Sequence, residues 1–317
     1  MKKIAWIAAI FALVASSAFA QYPARPIKWI VPYPPAGTTD VLARIMAKWL
    51  SDHLGQQVVI ENKPGGGNNI GTEFALRSPP DGYTMLLVNP ANGINQTLYK
   101  NLSFNIVTDM APVAGLVRTP NVMEVTNNFP AKNVAEFIAY CKANPGKINW
   151  ASSGTGTSVH MSGEMFSMMT GCKMLHVPYK GAGPALTDLI GGQVEVMFDN
   201  LPSSIGHIKG GRLRALAVTS SYHEPQLPGI PTIAETVPGY EATAWFGIGM
   251  PKGTPREIIE KVNAEVNRAL ADPEMQKKLA ELGGKPIPGT PEDFGRVVQS
   301  EVDKWARVVK ASGATAE

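Results

Sequence analysis

The sequence predicts an α/β protein built from two blocks of mostly parallel sheet with flanking helices and a cleft between the blocks. Three observations predict it. Short β-branched apolar runs alternate with stretches whose apolar residues recur every three or four positions, the pattern of strands linked by amphipathic helices. The alternation occurs twice, from Ile27 to Val88 and again from Val134 to Thr219. The loops after the strands are rich in glycine, asparagine and hydroxyls and poor in charge, and open parallel sheets bind ligands at those ends.

The first strand is read at Ile27–Val31, and the helix after it places Val41, Leu42, Ile45, Met46, Trp49 and Leu50 on one stripe. Val58–Ile60 is the second strand. The turn NKPGGGNN then leads to a helix from about Ile70 to Leu76, and PPDGY turns the chain into the strand Thr84–Val88. The second block follows the stretch Val113–Val125. It opens with a helix at Val134–Cys141 and a strand at Ile148–Ala151. The loop SSGTGTSVH starts a helix that runs through Met169, and Met174–Val177 is the next strand. PYKGAGP precedes a helix ending at Ile190, strand Val194–Phe198 ends in DNLPSS, and Leu213–Thr219 is the last strand. The tail is helical, with a capping box expected at Thr254-Pro255-Arg256-Glu257 and a second helix start at Thr290-Pro291. Tail helices without strands of their own should pack back on the first block. That makes one lobe discontinuous, residues 21–118 and 235–317, with residues 119–234 as the other.

Of the 317 residues, 44% are apolar and 17% charged, the balance of a folded globular protein. A formal charge of +3 is too small for a nucleic-acid footprint. Residues 1–20 stand apart: Lys2 and Lys3, an apolar run from Ile4 to Val14, then Ala18-Phe19-Ala20. They read as a secretory signal peptide cleaved after Ala20. Removing two lysines leaves 29 − 2 = 27 basic against 26 acidic residues, so the mature chain is nearly neutral. No later stretch is long and apolar enough to span a membrane.

Enzyme motifs fail one by one. No serine sits in G-x-S-x-G, no loop completes G-x-G-x-x-G, and no Walker lysine follows a glycine run. The five histidines show no metal-ligand spacing, and C-x-x-C is absent. Anion capture suits the loops better. The first N–H groups of a helix lack intrahelical partners and favour a carboxylate or phosphate. Gly37, Thr38 and Thr39 offer this in one block, and Ser152, Ser153, Gly154, Thr155, Gly156 and Thr157 in the other. Asp40 either complements its helix dipole or holds the loop or a ligand. His160 is a donor or a packed residue, Asp199 a loop anchor, Lys180 an anion-steering charge, and Tyr33 and Trp245 are walls or core.

The stretches RPIKWIVPYPPAGTTDVLAR, VVIENKPGGGNNIG, ASSGTGTSVHMSGEMF, HVPYKGAGPALTDLIGGQVEVMFDNLP and PTIAETVPGYEATAWFGIGMPKGTP carry a family resemblance. In order, with DGYTMLLV and LRALAVTS, they cover nearly the whole chain after residue 20. The chain resembles the Bug-type (TctC-like) periplasmic receptors of tripartite tricarboxylate transporters. The resemblance implies a two-lobed, type II-like periplasmic-binding-protein architecture that closes on a small organic acid. It places the carboxylate, partly through ordered water, on the loops Tyr33–Asp40 and Ser152–His160. The candidate ligand residues from those loops are Tyr33, Ala36, Gly37, Thr38, Thr39, Asp40, Ser152, Ser153, Gly154, Thr155, Gly156, Thr157 and His160, and the other strand ends add Asn68, Asn89 and Asp199. The family usually carries paired glycines before x-x-Asp, and Ala36 departs from that. Cys141 and Cys172, at the sheet end away from the cleft, allow a structural disulfide.

The expected function is capture of a mono-, di- or tricarboxylate, an aromatic carboxylate or an acidic amino acid. The receptor, a periplasmic monomer, would deliver it to membrane permease subunits, with no cofactor, metal, nucleic acid or catalytic residue. Two alternatives stand beside it: a ligand-sensing receptor for a membrane signalling partner, and an exported hydrolase or lyase with His160 as its base.

Overall fold

The computed structural model describes residues 22–313, 315 and 316. The signal-peptide expectation therefore lies outside the described residues. β1 (Ile27–Val31), α1 (Thr38–Leu54), β2 (Val58–Asn62), α2 (Asn69–Leu76) and β3 (Thr84–Val88) form the first strand–helix series. β1 pairs parallel with β2 on one side and β3 on the other. α3 (Pro90–Leu98) precedes the long β4 (Met110–Thr126). The second series is α4 (Val134–Ala143), β5 (Asn149–Ser152), α5 (Ser158–Thr170), β6 (Leu175–Pro178), α6 (Ala182–Ile190), β7 (Val196–Asn200), α7 (Leu201–Lys209) and β8 (Leu213–Val218). Here β5 lies between β6 and β7, parallel to both. β9 (Thr243–Pro251) follows, then α8 (Arg256–Ala271), α9 (Pro273–Glu281), β10 (Lys285–Pro286) and α10 (Pro291–Ser312).

The two parallel groups are joined by antiparallel strands, which the strand–helix alternation does not signal. Strand order runs β2-β1-β3-β9-β4-β7-β5-β6. β4 has 17 residues, roughly 55 Å at strand rise, long enough to serve both groups. Its residues Met110–Pro120 pair with β9, and Asn121–Val125 pair with β7. β8 also pairs with the distal half of β4.

Each group packs its own core. Trp29 and Leu50 meet Phe246, Val262 and Val266 in the first, so α8 covers the first sheet as expected. Phe137, Trp150, Phe166 and Phe198 centre the second. Trp245 is core, packed with Phe294 and Val298. α10 does more than return to the first group. Its Trp305 and Val309 cluster with Ile94 and Leu98 of α3 and with Met161 of α5, tying the groups together.

Three helices escaped the sequence reading. α3 and α7 begin in NPANG and DNLPSS, which read as loops because asparagine, proline, serine and glycine dominate them. The same residues serve as N-cap and first turn: Asn89 accepts from Ala91 N–H with Pro90 following, and Pro202 sits in the first turn of α7. α9 starts after Asp272, whose side chain accepts from Met275 N–H. At Thr254 the expected capping box does not form, because its hydroxyl donates to Pro251 O and Pro255 takes the N-cap position. The box at Thr290 does form, with Asp293. Cys141 and Cys172 are buried free thiols rather than a disulfide. Burial and the neighbouring Cys172 push the Cys141 thiol up to about 12. Among the described residues, no helix is long and apolar enough to cross a membrane.

Candidate functional site

The site is built where strands end and helices start. Gly37 caps α1, Asn89 caps α3, Thr157 caps α5, Gly181 precedes α6 and Asn200 caps α7. One cavity between the two groups is lined by the first residues of all five helices. Its wall holds Gly37, Thr38 and Thr39; Asn89 and Pro90; Thr157 and Ser158; Ala182; and Asn200. Tyr33, Pro34, Ser153 and Phe246 complete it. Each helix start brings partial positive charge and N–H groups without intrahelical partners. None of these lining residues is a lysine, arginine or histidine. The arrangement attracts an anion by dipoles, not by a counter-charge.

Hydrogen bonds draw the two sides together. Thr38 Oγ1 lies 2.9 Å from Ser203 Oγ of α7, across the cleft. Asn200 Nδ2 donates to Ser158 Oγ and to Asn121 Oδ1, which fixes the amide at the wall. Asn89 accepts from Asn68 Nδ2, and the same amide donates toward the Tyr33 hydroxyl. Burial pushes the Tyr33 phenol far above its usual value, so it enters the wall as a neutral hydroxyl. The cavity offers about 30 Å³, space for one or two water molecules. A second cavity of about 190 Å³ shares Tyr33 and Ser153 with it and adds Asn68, Gly154, Thr155 and Lys180.

The expected ligand residues thus divide. Tyr33, Gly37, Thr38, Thr39, Asn89, Ser153 and Thr157 line the first cavity, and Asn68, Gly154 and Thr155 the second. Ala36, Asp40, Ser152, Gly156, His160 and Asp199 line neither; Ala36 is exposed, and the other five are buried behind the wall. Asp40 holds its loop. Its Oδ2 accepts from Ala36 N–H and Arg44 Nε, and its Oδ1 from Arg44 Nη2 and from Asn62. Burial would raise its pKa, but Arg44, Ala36 and Asn62 outweigh burial and hold the carboxyl below its usual value. Ala36 sits at φ 70, a left-handed conformation glycine would take at lower cost.

His160 is sealed at 3% exposure. Its Nδ1 accepts from Gly156 N–H, its Nε2 faces Glu164, and its ring stacks on His176 and Trp150. It is packed among these neighbours and lines neither cavity. Ser152 Oγ is tied to His176 Nε2 at 2.7 Å. Asp199 is fully buried and accepts from Ser203 and Ser204. Sequence reasoning missed Asn200, Ser158, Pro90, Ala182 and Phe246. The N-cap asparagines of NPANG and DNLPSS, each followed by proline within two residues, were the signal that could have found α3 and α7.

The model of the tripartite tricarboxylate transporter family receptor matches residues 42–314. The Bordetella pertussis protein BugT is 38% identical over 296 residues, covering 92% of this chain and 91% of BugT. Among solved structures, Rhodopseudomonas palustris Rpa4515 with adipate is 39% identical at a TM-score of 0.90, covering 92% of this chain and 98% of that one. MatC from the same organism, with bound malate, is 31% identical at a TM-score of 0.87, covering 91% and 100%. The fold is that of the two-lobed periplasmic binding proteins. By sequence and structure alike, the chain belongs to the receptor family of the tripartite tricarboxylate transporters.

Proposed function

We propose that this chain is an exported solute receptor that captures a small organic carboxylate between two lobes and delivers it to the permease subunits of its transporter. The lobes are residues 21–118 with 235–317, and residues 119–234. The observation that carries the reading is the meeting of five helix N-termini at one uncharged cavity. A carboxylate suits it: one charge, two acceptor oxygens, and N–H and hydroxyl donors on both sides. The relatives with adipate and with malate bind such acids. Binding would draw the lobes shut, and the permease would recognise the shut form.

A thermal-shift screen over mono-, di- and tricarboxylates, aromatic acids and acidic amino acids tests this. At a hundredfold excess over Kd a true ligand adds about 2.7 kcal/mol of stability. Thr38→Asp places a negative charge at the α1 N-terminus inside the cavity and should weaken the best acid by about a hundredfold or more. Unchanged affinity in that variant would place the acid elsewhere. Deleting the permease subunits separates transport from sensing: uptake of the acid stops in the first case, and a response to it survives in the second.

A further inference from the structure

The second cavity lies beside the anion cavity, and Tyr33 and Ser153 stand in the walls of both. Both strand groups build it: residues 65–68 come from the first, residues 153–155 and 178–180 from the second. The two sides touch at Gly67, where an added Cβ would fall 2.8 Å from Thr155 O. The volume of about 190 Å³ holds about six water molecules, against one or two in the first cavity. A carboxylate fills the smaller space, and the rest of an acid of several carbons needs the larger one.

The two cavities differ in charge. Lys180 is the one charged residue in the wall of the second, and neither wall contains an aspartate or glutamate. Among the described residues Lys180 has no carboxylate or other hydrogen-bond partner. Asp188 on α6, the acid next along the chain, accepts instead from the Tyr179 hydroxyl at 2.7 Å. Burial raises the phenols of Tyr33 and Tyr99, so no phenolate offsets the lysine. An amine without a counter-charge, in a wall of hydroxyls, amide and glycine backbone, is complementary to an anion. One positive charge matches one carboxylate, whereas a phosphate dianion would leave a charge over.

A monocarboxylate held at the five helix starts would set its apolar end toward this lysine and gain nothing from it. An acid with a carboxylate at each end gives one to the helix starts and the other to the amine.

We propose that Lys180 is a specificity-determining residue that pairs with the second carboxylate of the ligand, making the protein a receptor for dicarboxylates held at both ends. The inference rests on the carboxylate-receptor reading and narrows its ligand class. It differs from anion steering, which would speed the arrival of mono- and dicarboxylates alike. Calorimetry on the mature protein at about pH 7.5, where both carboxylates are ionised, compares succinate, glutarate and adipate with butyrate, pentanoate and hexanoate. Each second acid has a methyl group where the first has a carboxylate. At least one diacid should bind about tenfold more tightly than its partner of equal length. Lys180→Met should erase that excess and leave the monoacid unchanged, and Lys180→Arg should keep most of it. Lys180→Gln serves the same comparison if Lys180→Met does not fold. No diacid exceeding its partner, an excess that survives in the neutral variant, or an equal loss for both acids overturns the pairing and leaves the carboxylate receptor standing. If none of these six acids and no acid of the thermal-shift screen binds, the carboxylate reading falls and the pairing with it.

Discussion

The two loops that face each other across the cavity are supported by opposite means. In the first, residues 33–40, a carboxylate is the hub: Asp40 gathers Ala36 N–H, Arg44 and Asn62, while the Asn62 amide also donates to Tyr33 O. In the second, residues 152–160, the hub is neutral and aromatic. Thr157 donates to Gly154 O and accepts from His160 N–H, and His176 holds Ser152 while stacking between Trp150 and His160. The difference follows from burial. Arg44 reaches solvent, so its pairing with Asp40 leaves no uncompensated charge in the interior, whereas the second loop is held from behind by an imidazole kept uncharged. Burial above all pushes His176 down to about 3. Neither support places a lysine, arginine or histidine in the wall of the first cavity, which leaves helix dipoles as its positive element.

Contact between the blocks gives the largest expected effect. Gly156 sits at φ 85, and an added Cβ would fall 2.1 Å from Asn95 Oδ1 of α3. Gly156→Ala combines backbone strain with that collision, about 3 kcal/mol in all, so affinity for the best acid should drop about a hundredfold by calorimetry. Near-native affinity would show that the second loop closes without approaching α3.

Removing the charged hub comes next. Asp40→Asn keeps an acceptor for Ala36 N–H but loses the ion pair, whose exposed arginine is screened. The cost should be about 1 kcal/mol in urea unfolding, and more than 3 kcal/mol would mean the carboxylate bears on the cavity directly.

Acid should distinguish the loops without any mutation. His176 has a folded value far below its ordinary 6.5, so the unfolded chain binds the extra proton and stability falls as pH drops from about 6.5 toward 3. Asp40 has a folded value below 3.8, so its contribution is complete above that and is lost only as pH falls through the folded value. Between about pH 6 and 4, amide exchange should therefore rise at Ser152–His160 before Tyr33–Asp40. His176→Asn should remove the pH dependence at the second loop. Simultaneous exchange of both loops would contradict the division.

The smallest effect is a gain. Ala36→Gly relieves the left-handed alanine and should stabilise by about 1 kcal/mol, roughly 2 °C in Tm, without altering the pH behaviour of either loop. A lower melting temperature would mean that the Ala36 methyl contributes contacts worth more than its strain.

Much of this was legible because it is local. β1 and β3 fall on the residues their apolar runs marked, Ile27–Val31 and Thr84–Val88, and both hydroxyl-rich loops were visible as strand–hydroxyl–helix junctions. α3 and α7 were not, since Asn-Pro and Asn-Leu-Pro are turn signals and helix starts at once, and periodicity over nine residues is too short to choose. Roles behind the wall were illegible for another reason. Nothing near Asp199 in sequence announces Glu124, which shares the Ser204 hydroxyl with it only because β4 and β7 run side by side.

By itself, then, the sequence determined the alternation of strands and helices, the two hydroxyl-rich loops and the family, because these rest on neighbouring residues and on patterns repeated along the chain. The tertiary structure alone decided that five helix starts share one cavity and that His160 and Asp40 support the wall rather than form it. It also decided that Thr38 meets Ser203, 165 positions along the chain. Those facts depend on which strands lie side by side, and β4 and β9 set that by pairing across the whole width of the molecule.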